Sequence, residues 1–283
     1  MRKEGLAVDG VPAWQGVIAL PVQGRATKPR TRGVTMVIDK GMGLMQMKDW
    51  LSLASDTVDY LKLGFGTSAF YPRRLLEAKV DAARAFGVEL YPGGTFAEVA
   101  LWQGCFDRYL ANLKALGMHT VEISDGTISL PVQQRQEAIQ RALDKGVDVI
   151  TEVGKKQIDE QPPLEWLWEQ AQRDLEHGVR YVIMEARESG KGIGIYDEQG
   201  AISVEGLTFL QHAQSEDRMM WEAPLKSQQE QLILRLGPNV SLGNIAPQDA
   251  LALEALRVGL RADTLRTSIA EQVSDASWYV QTG

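Results

Sequence analysis

The chain has 283 residues, a net charge of −7, 44% hydrophobic residues and 24% charged residues. That balance suits a globular fold with a large core, built as one barrel or as two smaller domains. It excludes a general nucleic-acid binder, which needs a basic face, but it leaves room for small anionic substrates, because a local cluster of Lys and Arg outweighs the average field.

Cys105 is the single cysteine, so no intrachain disulfide forms, as suits a reducing compartment. Free cysteines mostly serve as buried packing residues. The opening Met-Arg-Lys-Glu lacks the apolar run of a signal peptide, and no apolar stretch reaches the roughly 20 residues that cross a bilayer. The expectation is a cytoplasmic protein with no membrane and no nucleic-acid partner.

In chain order, residues 1–32 show little periodicity; they carry Pro12, Pro21, Pro29 and a basic stretch from Arg25 to Arg32. They read as an N-terminal extension lying against the barrel or a neighbouring subunit. Strands are expected near 35–39, 59–63, 88–91, 119–123, 147–153, 180–185, 219–222 and 239–242. Helical stretches separate them. Gln133–Lys145 repeats apolar residues at helical spacing and stops at Gly146. Leu164–His177 is closed by Gly178 and Ser227–Leu236 by Gly237. Pro247 precedes a helix over Asp249–Leu260, where a first turn tolerates proline. Residues 267–283 read as a C-terminal tail, with Trp278–Val280 as a cluster that docks. Eight strands alternating with helices predict an α/β fold with a parallel sheet. Eight is also the number that closes a TIM-type (β/α)8 barrel, here over residues 33–266. An open doubly wound sheet is the alternative, but no G-x-G-x-x-G follows the first strand.

Six of these strands end in charge: Asp39-Lys40, Lys62, Glu122, Glu152, Glu185-Arg187 and Glu222. A charge inside a β run is costly unless paired or hydrated. Parallel strands that deliver polar side chains to one shared mouth meet that condition. Side chains alternate along a strand, so Lys62, Glu122 and Glu152 face the lumen between outward apolar neighbours. If the fifth strand continues, Gly154 and Lys156 share the face of Glu152, and Lys155 points elsewhere. Glu185 and Arg187 share a face of the sixth strand.

The three histidines, His119, His177 and His212, fall at the opposite end. His-based zinc chemistry and Ser-His-Asp triads are therefore not expected. Proton transfer falls to lysine or a carboxylate, and any metal is a hard cation held by oxygen, most simply Mg²⁺. Glycine-rich loops follow strands two, three and six, at Gly64–Ser68, Gly93–Thr95 and Ser189–Gly194. Such loops let backbone N–H groups approach an anion. With Lys191 and Arg187 beside it, the loop containing Gly190 and Gly192 is an anion-site candidate.

These motifs together resemble the phosphosulfolactate synthase family. The matching segments are Thr-Met-Val-Ile-Asp-Lys-Gly (35–41), Lys-Leu-Gly-Phe-Gly-Thr-Ser (62–68), Tyr-Pro-Gly-Gly-Thr (91–95), Glu-Ile-Ser-Asp-Gly (122–126) and Thr-Glu-Val-Gly-Lys-Lys (151–156). Glu-Ala-Arg-Glu-Ser-Gly-Lys-Gly-Ile-Gly (185–194), Glu-Ala-Pro-Leu-Lys-Ser-Gln-Gln (222–229) and Asn-Ile-Ala (244–246) complete the series. Phe65 and Ala186 depart from the archaeal pattern, which carries Trp and Gly there. The resemblance implies a (β/α)8 barrel and a Mg²⁺-dependent addition of sulfite to phosphoenolpyruvate, giving (2R)-3-phosphosulfolactate. It makes Lys156 the proton donor, with Glu152 and Lys62 as further catalytic residues. It assigns Mg²⁺ to Glu122, Glu152, Glu185 and Asp39. Lys40, Arg187, Lys191, Gly190, Gly192, Gly93, Gly94, Lys226 and Asn244 are the expected substrate binders.

Two other functions compete. The family also resembles a plant heat-stress-associated protein, so a non-enzymatic stress or interaction protein on the same barrel is the second reading. A Schiff-base lyase using a barrel lysine is the third. The long first segment and exposed barrel helices make a homo-oligomer an expectation.

Overall fold

The aliphatic runs do form strands, and each is followed by at least one helix. The computed structural model describes residues 13–157, 161–213 and 215–274. In chain order the elements are β1 (Thr35–Asp39), α1 (Leu44–Ala54), β2 (Tyr60–Leu63), α2 (Arg73–Ala85), β3 (Glu89–Pro92), α3 (Gly94–Trp102), α4 (Phe106–Ala115), β4 (Thr120–Ile123) and α5 (Val132–Asp144). They continue with β5 (Asp148–Val153), α6 (Leu164–Glu176), β6 (Tyr181–Met184), α7 (Val204–Ala213), β7 (Met219–Glu222), α8 (Lys226–Leu236), β8 (Ser241–Ile245), α9 (Ala250–Arg257) and α10 (Ala262–Ser274).

All strand pairs are parallel, in the order β3-β2-β1-β8-β7-β6-β5-β4. The sheet curls until its two ends, β3 and β4, lie side by side. That seam carries side-chain bridges in place of ladder bonds. Glu89 Oε1 accepts from the backbone N–H of His119 and from Thr120 Oγ1. At the other end of the seam Glu122 accepts from Tyr91 Oη and from the backbone N–H of Gly94. The result is the nearly closed eight-stranded barrel expected from the alternation.

The β period divides the core in two. One cluster, Val34, Met36, Tyr60, Tyr91, Ile150, Tyr181, Ile183 and Met220, fills the lumen. A larger one fills the layer between strands and helices. Tyr60 meets Tyr91 and Tyr181 edge to face inside the barrel. The lumen therefore has an apolar floor, and the next inward residues along the strands are charged. The glycine stops hold as well: Gly146, Gly178 and Gly237 take φ of 67°, 89° and 86° just past α5, α6 and α8.

The basic first segment is ordered against the barrel, across its N-terminal end. Lys28 Nζ donates to the carbonyls of Ser55, Val58 and Gly87, in the turns that lead into β2 and β3. Arg25 forms a two-pronged pair with Glu254, and Asn239 holds the backbone of Ala26 and Gly24. With Asn239 occupied in that way, β8 starts at Ser241 instead of 239 and runs on to Ile245, which carries Asn244 into the sheet. Helix α10 continues across position 267, where a tail was expected to begin. Trp278–Val280 lies outside the described residues.

Candidate active site

Lys62 is the centre of the charged layer. It is buried, and its Nζ lies 2.9 Å from Glu122 Oε1, 3.1 Å from Glu152 Oε2 and 3.6 Å from Glu222 Oε1. Burial opposes its charge, but Glu122, Glu152 and Glu222 outweigh that and hold the ammonium well above the ordinary lysine value. Strand parity does this work: Tyr60 and Lys62 point in, Leu61 and Leu63 out.

Lys156 is the second cation. Its Nζ sits 2.8 Å from Thr95 Oγ1, 3.5 Å from Glu152 Oε1 and 3.9 Å from Glu185 Oε2. Burial lowers its proton affinity, yet Glu152 and Glu185 raise it further, so the side chain is an ammonium at neutral pH. Lys155 points away, to the Asp125 carboxylate and carbonyl, as the alternation predicts. Asp125 in turn meets Arg135, which lies buried between Asp174 and the Glu152 carbonyl and fixes β5 from behind.

The acids divide by environment. Burial pushes the Glu185 carboxyl well above the usual range, and repulsion from Glu152 and Glu222 adds to it. Glu152 goes the other way: burial raises it, but Lys156 and Lys62 pull it below the usual range. Glu152 Oε1 and Glu185 Oε2 are buried without a hydrogen-bond partner. Burial also raises Glu122, with Lys62 opposing.

Around these groups lies a cavity of about 240 Å³, lined among others by Phe65, Gly93, Gly94, Thr95, Arg187 and Asn244. Three non-glycine residues of the described chain have positive φ, Phe65 (55°), Arg187 (60°) and Asn244 (56°). All three line this cavity. Strained backbone persists where the surroundings impose it, often at functional sites. Asn244 Nδ2 donates to the Arg187 carbonyl and, at 3.3 Å, to Glu222 Oε2, so two of the strained residues brace each other. The Nη-bearing side chain of Arg187 is exposed at the rim.

The structure thus brings together Lys62, Lys156, Glu122, Glu152, Glu185, Arg187, Gly93, Gly94 and Asn244. It leaves others outside. Asp39 is fully buried on the helix side of β1, because Met36 and Ile38 take the inward positions. Its Oδ2 accepts from Lys79 Nζ at 2.6 Å, and its Oδ1 accepts from the N–H groups of Gly41 and Met42. Asp39 is therefore no part of the carboxylate cluster. Lys40 pairs with Glu188 above the Phe65 ring at the rim. Lys226 is exposed and pairs with Glu230 and Asp263. Lys191 is exposed. In its loop the Gln228 amide donates to the Gly190 carbonyl, and Gly192 N–H donates to the Asp197 carbonyl. The loop closes on itself rather than on the mouth. None of the three histidines lines the cavity.

The sequence marks Glu222 as a strand-end charge, in phase with Met220, but assigns it no role in the site, and it gives no role to Tyr91 or Thr95 beyond their places in a motif.

Among the described residues, no three of His, Cys, Asp and Glu converge as a metal centre. Mg²⁺ needs less, being usually held through one or two carboxylates plus substrate oxygens and water. The partnerless oxygens of Glu152 and Glu185 fit that demand, whereas both oxygens of Glu122 already have donors.

A family model described as (2R)-phospho-3-sulfolactate synthase (ComA) matches residues 23–263. The chain belongs to the phosphosulfolactate synthase family. The phosphosulfolactate synthase of Methanothermobacter thermautotrophicus is 44% identical over 247 residues, covering 85% of this chain and 94% of that protein. The phosphosulfolactate synthase of Bacillus subtilis is 36% identical over 251 residues, covering 87% and 97%. Among solved structures, 3-keto-L-gulonate-6-phosphate decarboxylase from Vibrio cholerae superposes with a TM-score of 0.53 at 11% identity, covering 83% of this chain and 98% of that one. That likeness speaks for the barrel alone. The match begins at residue 23 and so includes the segment that carries Arg25 and Lys28. Among the described residues no helix is long and apolar enough to cross a membrane.

If Asp39 serves the fold and not the mouth, Asp39→Asn is expected to lower the melting temperature and to leave the turnover of the folded protein unchanged. A fall in turnover with an unchanged melting temperature would put Asp39 back at the site.

Proposed function

We propose that the protein adds sulfite to C3 of phosphoenolpyruvate, with Mg²⁺ as cofactor, and protonates C2 to give (2R)-3-phosphosulfolactate. The observation that carries this reading is the ammonium of Lys156, held at the mouth of a barrel belonging to this family. The sulfur lone pair of sulfite forms the C–S bond at C3. The π pair moves onto C2 and the carboxylate as an enediolate. Lys156 gives an N–H proton to C2, the pair returns to form the C–H bond, and solvent later reprotonates the amine. Arg187 and the ammonium groups of Lys62 and Lys156 draw the two anions in and stabilise the developing charge. Gly93 and Gly94 let the substrate approach the start of α3 closely, and Asn244 holds Arg187 in place. Glu152 holds Lys62 at 3.1 Å and supports the charge of Lys156 from 3.5 Å. Glu152 and Glu185, whose buried oxygens lack partners, would hold Mg²⁺, which would supply Lewis-acid stabilisation of developing negative charge.

The protonated state of both lysines argues against the Schiff-base reading, which needs a neutral amine. Removal of divalent metal with EDTA is expected to abolish product formation, and added Mg²⁺ to restore it. Undiminished turnover in EDTA would remove Mg²⁺ from the account.

A further inference from the structure

The N-terminal turn of α3 is bolted to the strand beside it at two points. Gly94 N–H donates to Glu122 Oε1 at 2.7 Å. One turn later the buried Glu98 accepts from Ser124 Oγ and from the N–H groups of Thr127 and Ile128. The approach is close enough that a Cβ on Gly94 would lie 2.4 Å from Ser124 Oγ and 3.0 Å from Glu122 Oε1. Only glycine permits the helix to start there.

The same two bolts shape the path of Lys156. The Glu98-held loop contains Gly126, whose carbonyl accepts from Lys156 N–H at 3.0 Å. A Cβ on Gly126 would meet the lysine stem at Cε, Cγ and Cδ, at 3.1, 3.2 and 3.4 Å. No positive φ calls for glycine at 126; the stem of Lys156 does. Thr95, the residue after Gly94, then presents Oγ1 to the ammonium at 2.8 Å. That is the shortest polar contact of this ammonium; the carboxylates of Glu152 and Glu185 stand off at 3.5 and 3.9 Å.

We propose that Thr95 is a positioning residue that aims the Lys156 ammonium, its hydroxyl held in place by the Gly94 and Glu98 anchors of α3. The two carboxylates supply charge but little direction at those distances, since a hydrogen bond weakens steeply with poor geometry. A hydroxyl oxygen at 2.8 Å supplies the direction. The proton delivered to C2 then comes from one face, so Thr95 governs stereochemistry as well as rate. This inference rests on the acid role of Lys156.

The test compares Thr95→Val, Thr95→Ser and Lys156→Ala, each with phosphoenolpyruvate, sulfite and Mg²⁺. Thr95→Val keeps the shape and removes the acceptor. It is expected to cut kcat by about 10- to 100-fold, the scale on which small misplacements act, with KM little changed. Its product is expected to contain the (2S) epimer beside the (2R). Thr95→Ser restores the acceptor and is expected to recover rate and configuration. A merely structural role would not move the epimer ratio. If Thr95→Val raises KM alone, or Thr95→Ser fails to recover the rate while melting like the parent, the positioning role is overturned. If Lys156→Ala itself turns over normally, the acid reading fails, whatever Thr95 does. If Lys156→Ala is inactive while Thr95→Val keeps parent rate and configuration, only the Thr95 proposal fails.

Discussion

Lys156→Ala is expected to lower kcat for sulfite addition by about 10²- to 10⁴-fold, the usual contribution of a positioned acid. The loss is expected to fall on the proton-transfer step, because the other cations lining the cavity, Lys62 and Arg187, stay in place. Lys156→Arg separates charge from acidity. A guanidinium keeps the positive charge but does not give up its proton, so it is expected to bind phosphoenolpyruvate and remain slow. A fast Lys156→Arg protein would mean that the charge at this position suffices and that the proton arrives from elsewhere. The protein tolerates a lysine at this depth because Glu152 and Glu185 hold its charge. Lys156→Ala also removes the cation beside Glu152, so its melting temperature is measured alongside the rate.

The largest stability effect is expected at Lys62. Lys62→Met keeps most of the aliphatic stem and removes the cation shared by Glu122, Glu152 and Glu222. Breaking a buried pair by deleting one partner costs about 3–5 kcal/mol. At roughly 2–4 °C per kcal/mol for a chain of this class, the melting temperature drops by about 10 °C. The sign of the pH dependence follows from the acids left behind. Without Lys62, Glu122 loses the cation that opposes the upward push of burial, so its folded pKa rises further above the unfolded one. Such groups penalise folding fully above their folded pKa, and the penalty fades as pH falls through it. The native protein behaves oppositely at Glu152, whose depressed pKa gives stability that is lost on acidification. The gap between the two proteins therefore narrows toward low pH. Urea unfolding at pH 7.5 and pH 5 measures it, and a gap that widens would contradict the assignment.

The alternation of strands and helices was legible because each strand is a short aliphatic run and several helices end at glycines whose positive φ marks the stop. The mouth was legible where a strand marks its own faces. Leu61-Lys62-Leu63 and Thr151-Glu152-Val153 leave little choice, and the same parity separates Lys156 from Lys155. It failed at Asp39, because the rest of β1 is buried on both faces and nothing there tells inside from outside. The deciding partner, Lys79, is 40 residues away on α2. The loop of Gly190 and Gly192 carries the composition of an anion site, but its backbone is taken by Gln228 and Asp197, a contact no local pattern announces. Thr95 was invisible for a related reason: its role depends on where β4 anchors α3.

Phosphorus NMR of the purified protein with phosphoenolpyruvate and Mg²⁺, recorded with and without sulfite, decides whether the barrel catalyses sulfite addition. Sulfite addition requires a new phosphate-ester resonance that grows only when sulfite is present, as the phosphoenolpyruvate resonance declines. A phosphoenolpyruvate resonance that neither declines nor shifts at high protein concentration would contradict it and favour a non-enzymatic role for this barrel.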